Sequence, residues 1–310
     1  MLTIVFWHSD VNPFTCGYLC VEFFFILSGW LLYKSFLKHK DAPLNFTINK
    51  LKRIYPAYVI ALLLNIACMP LYVNVESIND AMSIISRILS ELFLLNATGL
   101  MYGGINGTGW YISVLIIGGG LIYALIYYTK NAWKLIFTIF IYVAFCYFCN
   151  EVESFSSFST NGYISHPLFR GIAEMMLGVV IAHIAPYLKQ FISSNVVVSK
   201  FIFILSFCLF CSTLFVSGYD ILAVISSTIM IIIAFSLEDR LLSKVPSICN
   251  KLGECTLIML LFHLFLLRIL DHTILFLSIE LHNCIYVLIV IPYITIVSIL
   301  LHRYIGNYRL

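Results

Sequence analysis

Charge is what this chain has least of. Only 11% of its 310 residues are Asp, Glu, Lys or Arg, 61% are hydrophobic, and the mean hydropathy is +0.99. An ordinary globular domain carries ~25% charged residues. The scarcity excludes a soluble enzyme, a disordered tail and a nucleic-acid-binding domain. A net charge of +3 gives no grounds for an anionic polymer partner. Alternating segments of about ten residues are missing too, which excludes a membrane β-barrel. No internal repeat marks a second domain. No basic stretch followed by a signal-type apolar core opens the chain.

What is present is a series of apolar runs of spanning length. They fall at about 17–37, 54–73, 108–128, 132–149, 168–187, 199–217, 220–237, 253–270 and 284–302. Each can cross a ~30 Å hydrocarbon core as a helix, which satisfies its own backbone. The expectation is an all-α polytopic transmembrane bundle of about ten helices, forming one domain over residues 1–310. Met1 to Trp7 is apolar but too short to span, and His8, Asp10, Asn12 and Pro13 follow at once. The chain is therefore expected to begin inside its first helix, incomplete over residues 1–8.

Loop charges orient the bundle. Lys34, Lys38, Lys40, Lys50, Lys52, Arg53, Lys130, Lys134, Lys189, Lys200, Arg240, Lys244, Lys251, Arg303 and Arg309 fall on one side if spans alternate. These are 15 of the 18 basic residues. Glu76, Asp80, Glu91, Glu151, Glu153, Asp220, Asp271 and Glu280 fall on the other. The positive-inside rule makes the basic side cytoplasmic, with the C-terminus there and His8 outside, in a cell (plasma or inner) membrane. The Ser-rich loop 150–167 is also outside. Residues 77–95 are amphipathic, with Ser77 and Asp80 as a cap and Arg87 and Glu91 as an i,i+4 pair. This stretch reads either as an interfacial helix on the outer surface or as a re-entrant packing helix.

Ionisable groups inside spans are costly and mark sites by default. Glu22 lies early in the first complete span. Arg170 and Glu174 share a helix face and can neutralise each other, as a structural pair or as part of a site. Arg268 is placed to snorkel from a helix end. His8 pairs an interface location with the nearby Asp10, and imidazole is the usual general base near neutral pH. His183 and His263 read as structural. The pairs Cys146/Cys149 and Cys208/Cys211 fall within helices and suit packing better than zinc, so no metal is expected. A bond between Cys16 and Cys20 is open. Gly118-Gly119-Gly120 suits close helix packing, not a phosphate loop. Lys50-Leu51-Lys52-Arg53-Ile54-Tyr55-Pro56 abuts a helix start, either as topology alone or as an anion site.

The order of these features resembles one known family. Cys20-Val21-Glu22-Phe23-Phe24-Phe25-Ile26-Leu27-Ser28-Gly29-Trp30-Leu31 resembles the G-V-[DE]-x-F-F-x-L-S-G-F-L segment of the acyltransferase 3 family of membrane acyltransferases. His8-Ser9 resembles the histidine ending that family's first helix, and Lys50 through Tyr58 its R-x-x-R-I-x-P-x-Y element. Gly109-Trp110-Tyr111-Ile112-Ser113 resembles its W-x-L-S element. Arg170 through Gly178 and Gly253 through His263 resemble two later stretches. Lys50 replaces an Arg, Cys20 a Gly and Leu260 a Tyr. Leu115 stands where many members carry an acid, so Glu22 or Glu174 would have to substitute.

The resemblance implies transfer of an acyl group, usually acetyl, from cytoplasmic acyl-CoA (acetyl-CoA) to a saccharide hydroxyl at the outer face. His8 would be the general base or a transient acyl carrier, with Glu22 orienting it. Lys50, Arg53 and, more weakly, Lys52 would hold the CoA phosphates. Arg170, Glu174, Trp110, Ser113 and His263 would shape or support the substrate site. Partners are acyl-CoA, the saccharide and membrane lipid, with no nucleic acid. Two other readings of the same residues are a flippase of a lipid-linked saccharide and an inactive, truncated relic.

Overall fold

The computed structural model describes residues 1–9, 14–100, 104–151, 160–161, 164–237, 247–276 and 283–306. Asp10, Asn12, Pro13, Glu153, Arg240, Lys244, Glu280, Arg309 and most of the 150–167 loop lie outside the described residues.

The architecture is all-α. In chain order the helices are α1 (Leu2–Trp7), α2 (Cys20–His39), α3 (Pro43–Cys68), α4 (Ile78–Leu92), α5 (Gly109–Thr129) and α6 (Trp133–Glu151). Then come α7 (His166–Ser194), α8 (Val196–Thr213), α9 (Asp220–Ser236), α10 (Ser247–Glu254), α11 (Thr256–Phe276) and α12 (Asn283–Gly306). The only strands among the described residues are an antiparallel pair of two residues each, β1 (Thr160–Asn161) and β2 (Ile164–Ser165). Among the described residues six helical stretches are long and apolar enough to cross a membrane, and α6, α9 and α12 contribute shorter apolar ones. Helix α8 leaves Val197 82% and Phe201 66% exposed. Such a surface would be a liability in water and suits hydrocarbon.

The expected spans are present, with corrected ends. Helix α3 begins at Pro43, eleven residues before the expected 54, because Lys, Arg and Leu are good helix formers whatever their hydropathy. The basic cluster therefore lies within a helix rather than at its start. Pro56 sits inside that helix and leaves the Lys52 carbonyl without its usual donor. Helix α7 runs to Ser194 through Pro186, beyond the expected end at 187, so His183 lies well inside it. Helix α10 was not expected; its polar composition hides it from a hydropathy scan.

The chain divides into two compact units. One comprises Met1–Asn12, Ile48–Ser113 and Pro246–Leu310; the other comprises Pro13–Thr47 and Val114–Val245. In the first, Leu62, Ile84 and Ile105 form a core with Ile66, Met69, Val73 and Ile88. Ser77 and Asp80 close a capping box on α4. Ile84, Ile88 and Glu91 share the face turned to protein, while Ile78, Met82, Ile85 and Leu89 stay exposed. That second apolar stripe is what an interfacial helix offers lipid.

The second unit is organised by α2 and α7. A Cβ on Gly29 would collide with the Met175 carbonyl, and one on Gly178 with the Ile26 carbonyl. The two backbones touch, which small residues alone permit. Gly118 packs likewise, its missing Cβ 2.9 Å from Ile172 and Met175 atoms. Among the described residues no disulfide forms, and Cys16 and Cys20 are both buried.

Candidate active site

In the first unit the chemistry gathers where α1, α11 and the α4–α5 connection meet. His8 follows α1, and its ring centroid lies 5.3 Å from that of His263 on α11. His263 is fully buried. Its Nδ1 is 3.1 Å from the Met259 carbonyl and 2.9 Å from that of Leu260. Carbonyls only accept, so Nδ1 carries the proton and donates. Nε2 is then an acceptor, and it has no hydrogen-bond partner among the described residues. His8 keeps an open edge. Protein nonetheless surrounds the ring at longer range, and this burial, followed by the Arg268 cation, lowers its pKa to about 4. His8 is therefore a neutral imidazole at physiological pH.

Arg268 does not snorkel, as the sequence suggested. Its Nη1 donates to Asn65 Oδ1 at 2.6 Å, to the Tyr72 hydroxyl at 3.0 Å and to the Ile105 carbonyl at 3.0 Å. Its guanidinium lies 4.5 Å from the Tyr72 ring centroid. A guanidinium that finds three oxygens and an aromatic face inside a bundle has no reason to reach for water. It ties α11 to α3 and to the connection before α5.

Glu91 organises that connection. The expected Arg87–Glu91 surface pair is not what forms: Arg87 donates to the Gly104 carbonyl at 2.9 Å, and Glu91 is fully buried. Glu91 Oε2 accepts from the backbone N–H groups of Ile105 and Asn106, both at 3.0 Å. Asn106 Nδ2 then donates to the Leu261 carbonyl and Thr108 Oγ1 to that of Leu260, both at 3.1 Å. These carbonyls lie just before His263. A Cβ at Gly104 or Gly109 would strike Glu91 Oε1. Burial raises the Glu91 carboxyl to about 7, against the opposing pull of the two N–H donors. Tyr58 and Tyr55 donate to the carbonyls of Glu91 and Leu92 at 2.9 and 2.7 Å, and Ser113 Oγ donates to that of Leu94. Trp110 opens α5 edge-on to Tyr111.

The basic residues fall within about one turn of α3, with Lys52 and Arg53 exposed and Lys50 half-buried. One helix face therefore presents Lys50 and Arg53, three residues apart.

The second unit holds the other expected residues. Arg170 Nη1 lies 3.5 Å from Glu22 Oε1, an ion pair joining α7 to α2. Arg170 thus has a carboxylate partner on another helix, beyond the Glu174 neighbour the sequence suggested. All three side chains are at most 5% exposed, and Glu174 adjoins both others. Nearby, the Tyr18 hydroxyl donates to Asp220 at 3.0 Å.

The structure therefore groups His8 with His263, and Glu22 with Arg170 and Glu174. Sequence reasoning missed Glu91, Asn106 and the Arg268 clamp. The available signal was an acidic residue in register with Ile84 and Ile88 on a helix otherwise easy to treat as surface. No curated protein and no solved structure matches the chain. A family model, the acyltransferase domain called acyltransferase 3, matches residues 1–303.

Proposed function

Because the chain belongs to the acyltransferase 3 family, we propose that this membrane acyltransferase moves an acetyl group from cytoplasmic acyl-CoA to a hydroxyl of a cell-surface or lipid-linked saccharide. The observation that carries the reading is the neutral, open imidazole of His8 backed by His263.

His8 takes the acceptor's O–H proton as that oxygen attacks the thioester carbonyl. The new C–O bond forms, the C–S bond breaks, and the imidazolium returns the proton to the departing thiolate. In a two-step variant His8 itself carries the acyl group. Orientation of the imidazole falls to His263 and to Arg268, whose cation opposes premature protonation. Glu91 positions the connection that braces α11 just before His263, the carboxylate that Leu115 does not supply. Glu22, the sequence's choice for orienting His8, belongs to the Arg170 pair.

Lys50 and Arg53, aided by Lys52, hold the CoA phosphates on the cytoplasmic side, where the positive-inside rule also puts the C-terminus. Working within a bundle keeps water from the thioester. Mass spectrometry of surface glycans from cells with and without the gene tests the function. Loss of one acetyl group per repeat is expected. Unchanged acetylation with saccharide retained inside the cell would favour a flippase instead.

A further inference from the structure

The 18 basic residues divide unevenly. Fifteen fall on the side that the positive-inside rule makes cytoplasmic, and the three others are Arg87, Arg170 and Arg268. Arg170 has a carboxylate partner in Glu22. Among the described residues, neither Arg87 nor Arg268 forms an ion pair. The fold nonetheless brings these two together in the first unit. Arg87, on α4, donates through Nη2 to the Gly104 carbonyl at 2.9 Å, and Arg268, on α11, through Nη1 to the Ile105 carbonyl at 3.0 Å. Two guanidiniums therefore rest on consecutive carbonyls of the α4–α5 connection, and Tyr72 feels the charge of both.

Like charges held this close repel unless a counter-charge joins them. Glu91 is within electrostatic reach of both, but it is sealed in protein and its Oε2 is taken by two backbone N–H groups. With its pKa raised to about 7, it is only partly charged at neutral pH. The arginines also keep donors in reserve. A guanidinium has five N–H groups. Arg268 spends only Nη1 and Arg87 only Nη2. Arg87 is exposed and Arg268 half-buried, so the remaining N–H groups stay open. Forked N–H donors are what grips a carboxylate or a phosphate. The pair also adjoins the candidate base, since the Arg268 cation acts on the His8 imidazole.

We propose that Arg87 and Arg268 bind the oxyanion, carboxylate or phosphate, of an acidic saccharide whose hydroxyl is presented to His8. This narrows the acceptor from saccharides at large to anionic ones. The inference rests on the acyl-transfer reading, and its test reads binding separately from turnover.

The readout is carbethoxylation of His8 by diethyl pyrocarbonate, which attacks a neutral, open imidazole. The full chain is used in phosphatidylcholine proteoliposomes, and modified peptides are quantified by mass spectrometry. The probes are trigalacturonic acid, galactose 6-phosphate and neutral galactotriose. Trigalacturonic acid is expected to protect His8 at about one tenth of the concentration that galactotriose needs, the factor that one charged hydrogen bond commands. Protection by galactose 6-phosphate in its place would assign the oxyanion as phosphate. Arg268→Gln should bring the acidic and neutral probes together. Arg87→Gln should do the same from the exposed face of α4 if the first variant, which loses its ties to α3, fails to fold. Equal protection by acidic and neutral probes in wild type would overturn the proposal, as would a preference that Arg87→Gln leaves intact. Protection by phosphatidylglycerol in the vesicles, with no saccharide added, would overturn it by giving the pair to lipid headgroups. A preference for acid that persists while acetyl-CoA yields no transfer would refute the acyl-transfer reading and leave the anion site standing.

Discussion

Replacing Glu91 by Gln tests whether burial governs the α4–α5 connection. Glu91 is fully enclosed, and its pKa rises from 4.5 to about 7 because desolvation outweighs two backbone N–H donors. A raised carboxyl pKa means that the folded protein holds this proton more tightly than the unfolded chain. Its contribution to stability is complete below pH 4.5 and is lost as pH rises through 7. At about 1.4 kcal/mol per pH unit, the loss is about 3 kcal/mol. Gln imitates the protonated acid: its oxygen still accepts from Ile105 and Asn106, and it does not titrate. The variant is therefore expected to melt near wild type at pH 4.5 and several degrees higher at pH 8. The assay is intrinsic-fluorescence melting of the detergent-solubilised full chain from pH 4.5 to 8. Parallel melting curves for the two proteins across that range would refute the reasoning, as would a variant less stable at pH 8.

Three further outcomes are expected. Gly178→Ala puts a methyl against the Ile26 carbonyl and forces α2 from α7, costing about 1–3 kcal/mol, seen as a lower melting temperature. The rate of acyl transfer should stay level from pH 8 to about 5 and halve near pH 4, because His8 loses its neutral form only there. A midpoint near 6.5 would mean an unshielded imidazole. Arg53→Ala should raise the KM for acetyl-CoA about tenfold with little change in kcat, read from initial rates, if one charged contact to phosphate is lost.

The spans were legible because hydropathy and length decide what can cross hydrocarbon: every expected run lies in a helix, and among the described residues six helical stretches meet that rule while α6, α9 and α12 carry shorter apolar ones. The start of α3 was not legible, since Lys50, Lys52 and Arg53 depress hydropathy without opposing a helix. His8 and the Glu22, Arg170 and Glu174 set stood out because charge is rare here. Their pairing depended on which helices adjoin, and no spacing along one helix could reveal that Arg170 meets Glu22 on α2. Glu91 was concealed by a neighbour, Arg87, at a spacing that fits a surface pair. Arg268 was misread because a position near a helix end suggests water, whereas Asn65, Tyr72 and Ile105 supply oxygens at once.

In the proposed acyl-CoA-dependent reaction, proton transfer by His8 is the decisive step. Its most direct measurement is transfer of radiolabelled acetyl from acetyl-CoA into saccharide by the purified protein in proteoliposomes, comparing wild type with His8→Gln. Wild type is expected to give labelled product and the variant about 100-fold less or lower still, with its melting temperature kept. Equal transfer by both proteins, or no dependence on acetyl-CoA in either, would contradict it.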